Sequence, residues 1–219
     1  LDRSSAASDV YKRQGSSSFH NEGNITIDGQ GSWGLRSSNN VETYNSGRIN
    51  MSGNKSYGMK IEKGTVENHG DITTADAESF GIWVNNVDSL TNSGTVTVNG
   101  ADSVGIYTGG SSEATNSGTI NVNGDGGKGI NTAGSSSFVN NGTININGKN
   151  GYGIYAEGTS KVTNSGDIYL NATTATKTSS ALYAGGSAVI ENSGNLHITA
   201  SGNGYILSLI HISEPTRPY

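Results

Sequence analysis

The chain has 219 residues, enough for one or at most two domains, and it contains no Cys, which excludes disulfides, thiolate metal sites and a Cys nucleophile. Only 14% of residues are charged and the net charge is -5, against the basic patch of a nucleic-acid binder, and no apolar run reaches the ~18 residues of a membrane-spanning helix. Hydrophobic residues make up 32%, below the usual ~45–50%, while Gly reaches 33 and Asn 26. A disordered polar chain has this composition, but not the periodicity described below.

At the two ends, Ser4–Gln14 reads SSAASDVYKRQ and Leu207–Arg217 reads LSLIHISEPTR. Back-translated, the two strings resemble the paired adapters of transposase-based sequencing. The expected organisation is therefore an adapter-like, non-native tail at 1–14, a native segment at 15–206 truncated at both ends, and a second such tail at 207–219. The native segment contains neither Pro nor Cys.

Within that segment a unit of the form Asn-x-Gly-x-Ile-x-Ile recurs eight times. Its glycines are Gly23, Gly47, Gly70, Gly94, Gly118, Gly142, Gly166 and Gly194, spaced by 24, 23, 24, 24, 24, 24 and 28 residues. The last interval contains an insertion near Ala172–Ser179. Each unit carries three strand signals. The first follows the Gly, with apolar residues two and four positions on, as in Ile49/Met51, Val96/Val98 and Ile144/Ile146. Alternation with β-branched residues marks a strand with one buried face.

The second strand begins ten residues after the Gly and reads WGLR, YGMK, FGIW, VGIY, KGIN and YGIY, then SALY after the insertion. Its aliphatic column is Leu35, Met59, Ile82, Ile106, Ile130, Ile154 and Leu182. The third strand precedes the next Asn, with Val66, Leu90, Phe138 and Val162 at its apolar position and Thr43 as the exception. The Asn column itself (Asn21, Asn45, Asn68, Asn92, Asn116, Asn140, Asn164, Asn192) is expected to form an amide ladder at a turn.

Three short strands per 24-residue period describe one coil of a solenoid. One coil cannot bury its own aliphatics, whereas stacked coils align identical positions into a continuous core. The expected fold is all-β, a three-sided right-handed parallel β-helix of about eight coils. Seven steps of about 4.8 Å make a shaft of roughly 35 Å.

The pattern NSGTVTVNG…VGIYTGG…ATNSGTINVNG, beginning at Asn92, resembles the β-helical passenger repeats of Gram-negative autotransporters and related large surface adhesins. The resemblance spans essentially all of residues 15–206. It implies a secreted or surface-displayed, non-catalytic stalk, carried in the full-length chain by an outer-membrane β-barrel. It also implies partners on a host or bacterial surface, glycan or protein, or another copy of the shaft.

One outward column is a candidate ligand or self-association face: Arg36, Lys60, Trp83, Tyr107, Asn131, Tyr155 and Tyr183. Beside it run small residues, among them Gly81, Gly105 and Gly153. A flat Gly track next to aromatics would admit a sugar ring or a neighbouring chain, and aromatic faces stack on sugars or cations. Replacing Trp83, Tyr107 and Tyr155 with Ser is expected to abolish binding while sparing the fold. The preceding column (Trp33, Tyr57, Phe80, Val104, Lys128, Tyr152, Ser180) should face inward by parity, but Lys128 and Ser180 suit a corner.

No catalytic, metal or cofactor site is expected. His20, His69 and His197 occupy different places in their units. Asp71 and Asp167 share a column four coils apart, and Glu42 and Glu67 lie on neighbouring coils as aligned, partly exposed acids. A glycan-degrading β-helix enzyme is the alternative, and it requires carboxylates about 5–10 Å apart. The Gly124–Gly129 run lacks the Ser/Thr and helix of a phosphate loop and reads as a turn.

Overall fold

A computed structural model describes residues 18–171, 179–199 and 204–210. They form three parallel sheets of eight strands each, and each strand pairs with the equivalent strand of the next coil. Successive sheets are visited in turn, so the chain winds into a three-sided β-helix with a period near 24 residues. The insertion expected at Ala172–Ser179 lies, apart from Ser179, outside the described residues. So do 1–14 and 211–219 of the adapter-like tails. The backbone of Gly204–Ile210 is an added strand, in register with Ser179–Gly185, and it runs across the boundary expected after Ile206.

The repeat Gly opens the first-strand sheet, which runs from Asn24–Asp28 to Leu196–Ile198. Its β-branched positions align coil on coil, for example Ile72, Val96, Ile120, Ile144 and Ile168. All five are fully buried, as are Ile82, Ile106, Ile130 and Ile154 of the second-strand sheet. Val66, Leu90, Phe138 and Val162 close the third side. Each coil buries few apolar residues, yet the stacked columns form one continuous core, which is why 32% hydrophobic content suffices.

The Asn column forms the expected ladder. Each Asn Nδ2 donates to the Oδ1 of the Asn one coil on, at 2.6–2.8 Å, from Asn21 through Asn192. The same amide donates to the carbonyl of the repeat Gly two residues later, at 3.0–3.4 Å. The Asn-x-Gly motif is thus one device that fixes the corner within a coil and ties it to the next. A second, exposed ladder joins Asn99, Asn123, Asn147 and Asn171 at 2.7–3.0 Å.

Buried threonines break the apolar pattern at several core positions, among them Thr43, Thr74, Thr108 and Thr132. Thr74 lies in register between Met51 and Val98, is fully buried, and its hydroxyl has no hydrogen-bond partner. An orphaned buried hydroxyl costs roughly 1–3 kcal/mol. Thr74→Val keeps the branched shape and is expected to stabilise the chain by about 1 kcal/mol, read as a higher urea midpoint. A lower midpoint would mean that the hydroxyl has a partner after all.

Candidate functional site

In the second-strand sheet two consecutive residues, the Gly and the aliphatic after it, both turn inward. Gly81, Gly105 and Gly153 are buried. A Cβ on Gly105 would sit 2.5 Å from Ile120 Cγ2, and one on Gly153 would sit 2.6 Å from Ile168 Cγ2. The expected flat Gly track beside the aromatics is therefore corrected: these glycines line the core because only a residue without a side chain fits against the branched column of the adjacent sheet.

The doubled inward step also corrects the parity argument. It shifts the phase of the strand, so the residues before and after the Gly-aliphatic pair share the outer face. Tyr57 meets Trp83 edge-on, Phe80 meets Tyr107, and Tyr152 meets both Tyr155 and Tyr183. Lys128 reaches its ammonium over the Tyr155 ring at 5.0 Å. Val104 and Ser180 of the same column are buried.

All four predicted aromatics lie on this face, in two separate groups. Trp83 and Tyr107 stack at 5.7 Å and 8°, and Tyr155 and Tyr183 stack at 4.3 Å and 5°. Tyr57 and Phe80 form a third parallel pair at 5.0 Å. Spacings this near the coil repeat mean that the ring faces point along the shaft, toward neighbouring coils. Arg36 caps Trp33 at 4.4 Å, and Lys60 sits among Tyr57, Trp83 and Trp33 at 4.8, 5.2 and 5.9 Å. Most ring faces are thus occupied by other side chains, leaving edges and hydroxyls to solvent. Each stacked pair contributes about 0.5–1.5 kcal/mol beyond its buried area, so the triple Ser replacement removes stability as well as any binding surface.

Tyr155 donates its hydroxyl to Glu157 Oε1 at 2.7 Å. Burial, with the Glu157 hydrogen bond and charge, pushes the Tyr155 phenol well above its usual value, and burial followed by the Glu157 charge raises that of Tyr107. Both phenols remain protonated donors at neutral pH.

Sequence reading missed one constellation. His69 Nδ1 lies 2.6 Å from Ser93 Oγ, and its Nε2 lies 3.2 Å from Glu67 Oε2. His20 and His69 flank the Tyr44 ring at 5.4 and 5.2 Å. Nucleophile, base and orienting acid are the parts of a hydrolytic triad. The oxyanion donors are committed elsewhere, because the N–H groups of Ser93 and Gly94 both bond to Asn68 O, at 2.8 and 3.1 Å. The cluster follows from column position: His69 stands where most other coils carry Ser, just after the ladder Asn. Ser165 bonds Asn141 Oδ1 across the same column at 2.7 Å.

The carboxylates need one correction. Glu42 pairs in register with Thr65 and Glu67 with Tyr44, so the two acids are offset along their strands rather than aligned. Glu42 stands three residues before its ladder Asn and Glu67 only one. Asp71 and Asp167 lie four strands apart, roughly 19 Å. Asp71 forms an exposed ion pair with Arg48 at 3.3 Å. Among the described residues no three His, Cys, Asp or Glu side chains converge as a metal site. Gly124–Gly129 is a turn leading into a strand, as expected.

The family model of the BigA third pectate lyase-like domain matches the chain over residues 2–134 and again over 127–209. Neither a curated protein nor a solved structure matches.

Proposed function

The chain belongs to the family of the BigA third pectate lyase-like domain, and from that premise we propose that it is a length of non-catalytic shaft from a bacterial surface adhesin. On this reading the shaft is displayed outside a Gram-negative cell in the manner of an autotransporter passenger. It holds an adhesive surface away from the outer membrane and meets a glycan, a protein or another shaft. The observation that carries the reading is where the side chains go. Asn ladders, stacked rings and cation–ring contacts all run from one coil to the next. Interactions of that kind build length and stiffness, and the buried Asn ladder repeats them from Asn21 to Asn192.

The alternative is glycan cleavage, and the two readings are separated by one pair of assays. The chain, fused to an outer-membrane barrel and displayed on a non-adherent bacterium, is expected to confer attachment or clumping that the barrel alone does not. The purified chain, incubated with neutral and uronic-acid polysaccharides, is expected to release no new reducing or unsaturated ends. Release of such ends, abolished by replacing a carboxylate, would replace the shaft reading with an enzyme.

A further inference from the structure

The outer aromatic column has one interruption. Asn131 lies in register with Tyr107 on one side and Tyr155 on the other. The two rings are therefore two coils apart, roughly 10 Å at about 4.8 Å per coil. Each is stacked on its far side, Tyr107 by Trp83 and Tyr155 by Tyr183. A ring inserted midway would lie about 4.8 Å from each wall, within the 4.3–5.7 Å of the stacked pairs on either side of the gap.

The floor of the gap is small. The Tyr107 ring leans over Gly109, with Cε1 3.0 Å from where a Cβ would stand, and the Tyr183 ring leans over Gly185 in the same way, at 3.2 Å. The equivalent place is Ala133 on the Asn131 coil and Glu157 on the Tyr155 coil, and both Asn131 and Ala133 are half-buried. The ends of the gap are charged. Lys128 precedes Asn131 on the same outer face, and its ammonium rests over Tyr155. Glu157, bonded to the Tyr155 hydroxyl, stands at the opposite end of the strand, close enough for its charge to raise the Tyr107 phenol.

The geometry points to this gap as a binding slot for a single pyranose ring of a glycan, with Tyr107 and Tyr155 as walls, Asn131 and Ala133 as floor, and Lys128 and Glu157 at its two ends. The assignment rests on the adhesive reading above and narrows it to one coil. A pyranose presents C–H faces to the two rings and hydroxyls around its edge. The Asn131 amide donates and accepts, the Glu157 carboxylate accepts, and the Lys128 ammonium donates. A phenyl ring would satisfy the walls but offer no hydrogen-bonding group to Lys128 or Glu157. The Lys128 side chain is long enough to leave the Tyr155 face and bond a hydroxyl or carboxylate of the sugar.

Oligosaccharides of neutral hexoses and of uronic acids, titrated separately against the whole chain by calorimetry, test the assignment. The decisive variant is Asn131→Tyr, which fills the slot with the chain's own ring and continues the stack, so folding is preserved. The expected result is binding of at least one sugar class, weakened tenfold or more in N131Y, with a urea midpoint no lower than that of the unmodified chain. A uronate preference that disappears in Lys128→Met identifies an acidic sugar, and equal affinity in that variant identifies a neutral one. Absence of binding to both classes, or undiminished binding in N131Y, overturns the slot. Concentration-dependent dimerisation lost in N131Y also overturns it, because a ring from a second copy would then be the occupant. Attachment by the displayed chain is measured separately: if it persists in N131Y, the shaft reading stands without the slot.

Discussion

Gly118→Ala is expected to destabilise the shaft by about 3 kcal/mol or more, at the upper end of what overpacking costs. A Cβ at that position would be driven into the carbonyl of Gly94 and would sit 2.7 Å from the Ser93 carbonyl carbon, both on the neighbouring coil. These are backbone atoms, so no rotamer change relieves the clash. The same Gly94 carbonyl accepts the N–H of Thr119 at 3.1 Å. Relief therefore requires the coils to part where their ladder is tied. Gly23→Ala supplies the control. Gly23 occupies the same column, but a Cβ there meets nothing within 4 Å. With no clash, the loss of freedom in the unfolded chain is expected to leave G23A neutral or up to about 1 kcal/mol more stable. Urea midpoints of the two variants check the argument. Equal midpoints would mean that coil spacing is not what demands Gly in this column.

The solenoid was legible because its determinants are periodic. Apolar positions, the Asn-x-Gly corner and the WGLR-type strands recur at one interval, and stacking makes register a consequence of sequence position. The Asn ladder followed directly, since identical amides one coil apart have one another as partners. What failed was local phase. Period-2 alternation assumes an unbroken strand, and it placed Gly81, Gly105 and Gly153 outside and Tyr57 and Tyr152 inside. The Gly-aliphatic pair turns two successive residues inward and reverses both assignments. A column of Gly beside a column of aliphatics in all but the last coil was the available signal. Such a column marks close approach as readily as open space.

The candidate site was less legible than the fold for a related reason. Aromatic residues in one column suggested a platform, but adjacency along the shaft turns their faces toward each other. Only a coil that lacks a ring, as at Asn131, leaves ring faces without an aromatic partner, and there Lys128 rests over the Tyr155 face. The His69 cluster was hidden because it joins a column neighbour one coil on, Ser93, to an acid two residues away on its own coil, Glu67, whereas column-by-column reading compares only like with like. The Ser93 hydroxyl and the Glu67 carboxylate reach His69 from along and across the strands at once.

Asn116→Ala is expected to cost about 4 kcal/mol, more than the loss of a single hydrogen bond. Asn116 is fully buried and joins three partners: it accepts from Asn92 Nδ2 at 2.7 Å, donates to Asn140 Oδ1 at 2.8 Å, and donates to Gly118 O at 3.3 Å. Gly118 O keeps the N–H of Thr143 at 3.0 Å. The Asn92 amide keeps its bond to Gly94 O but loses one of its two acceptors. Asn140 Oδ1 loses the donor supplied by the preceding coil. Two buried amide groups are thus left incompletely paired, at roughly 1–3 kcal/mol each, in a site where the neighbouring amides hold water away. Asn192→Ala makes the comparison within the same column. Asn192 is exposed, accepts from Asn164 and donates to Gly194 O, and water can replace both bonds. Its loss is expected to cost about 1 kcal/mol or less. Chemical denaturation of the two variants measures the difference. A clearly larger loss for N116A places the stability of the shaft in its buried amide ladder. Similar losses would instead place it in the aliphatic columns, with the ladder serving mainly to set the register of one coil on the next.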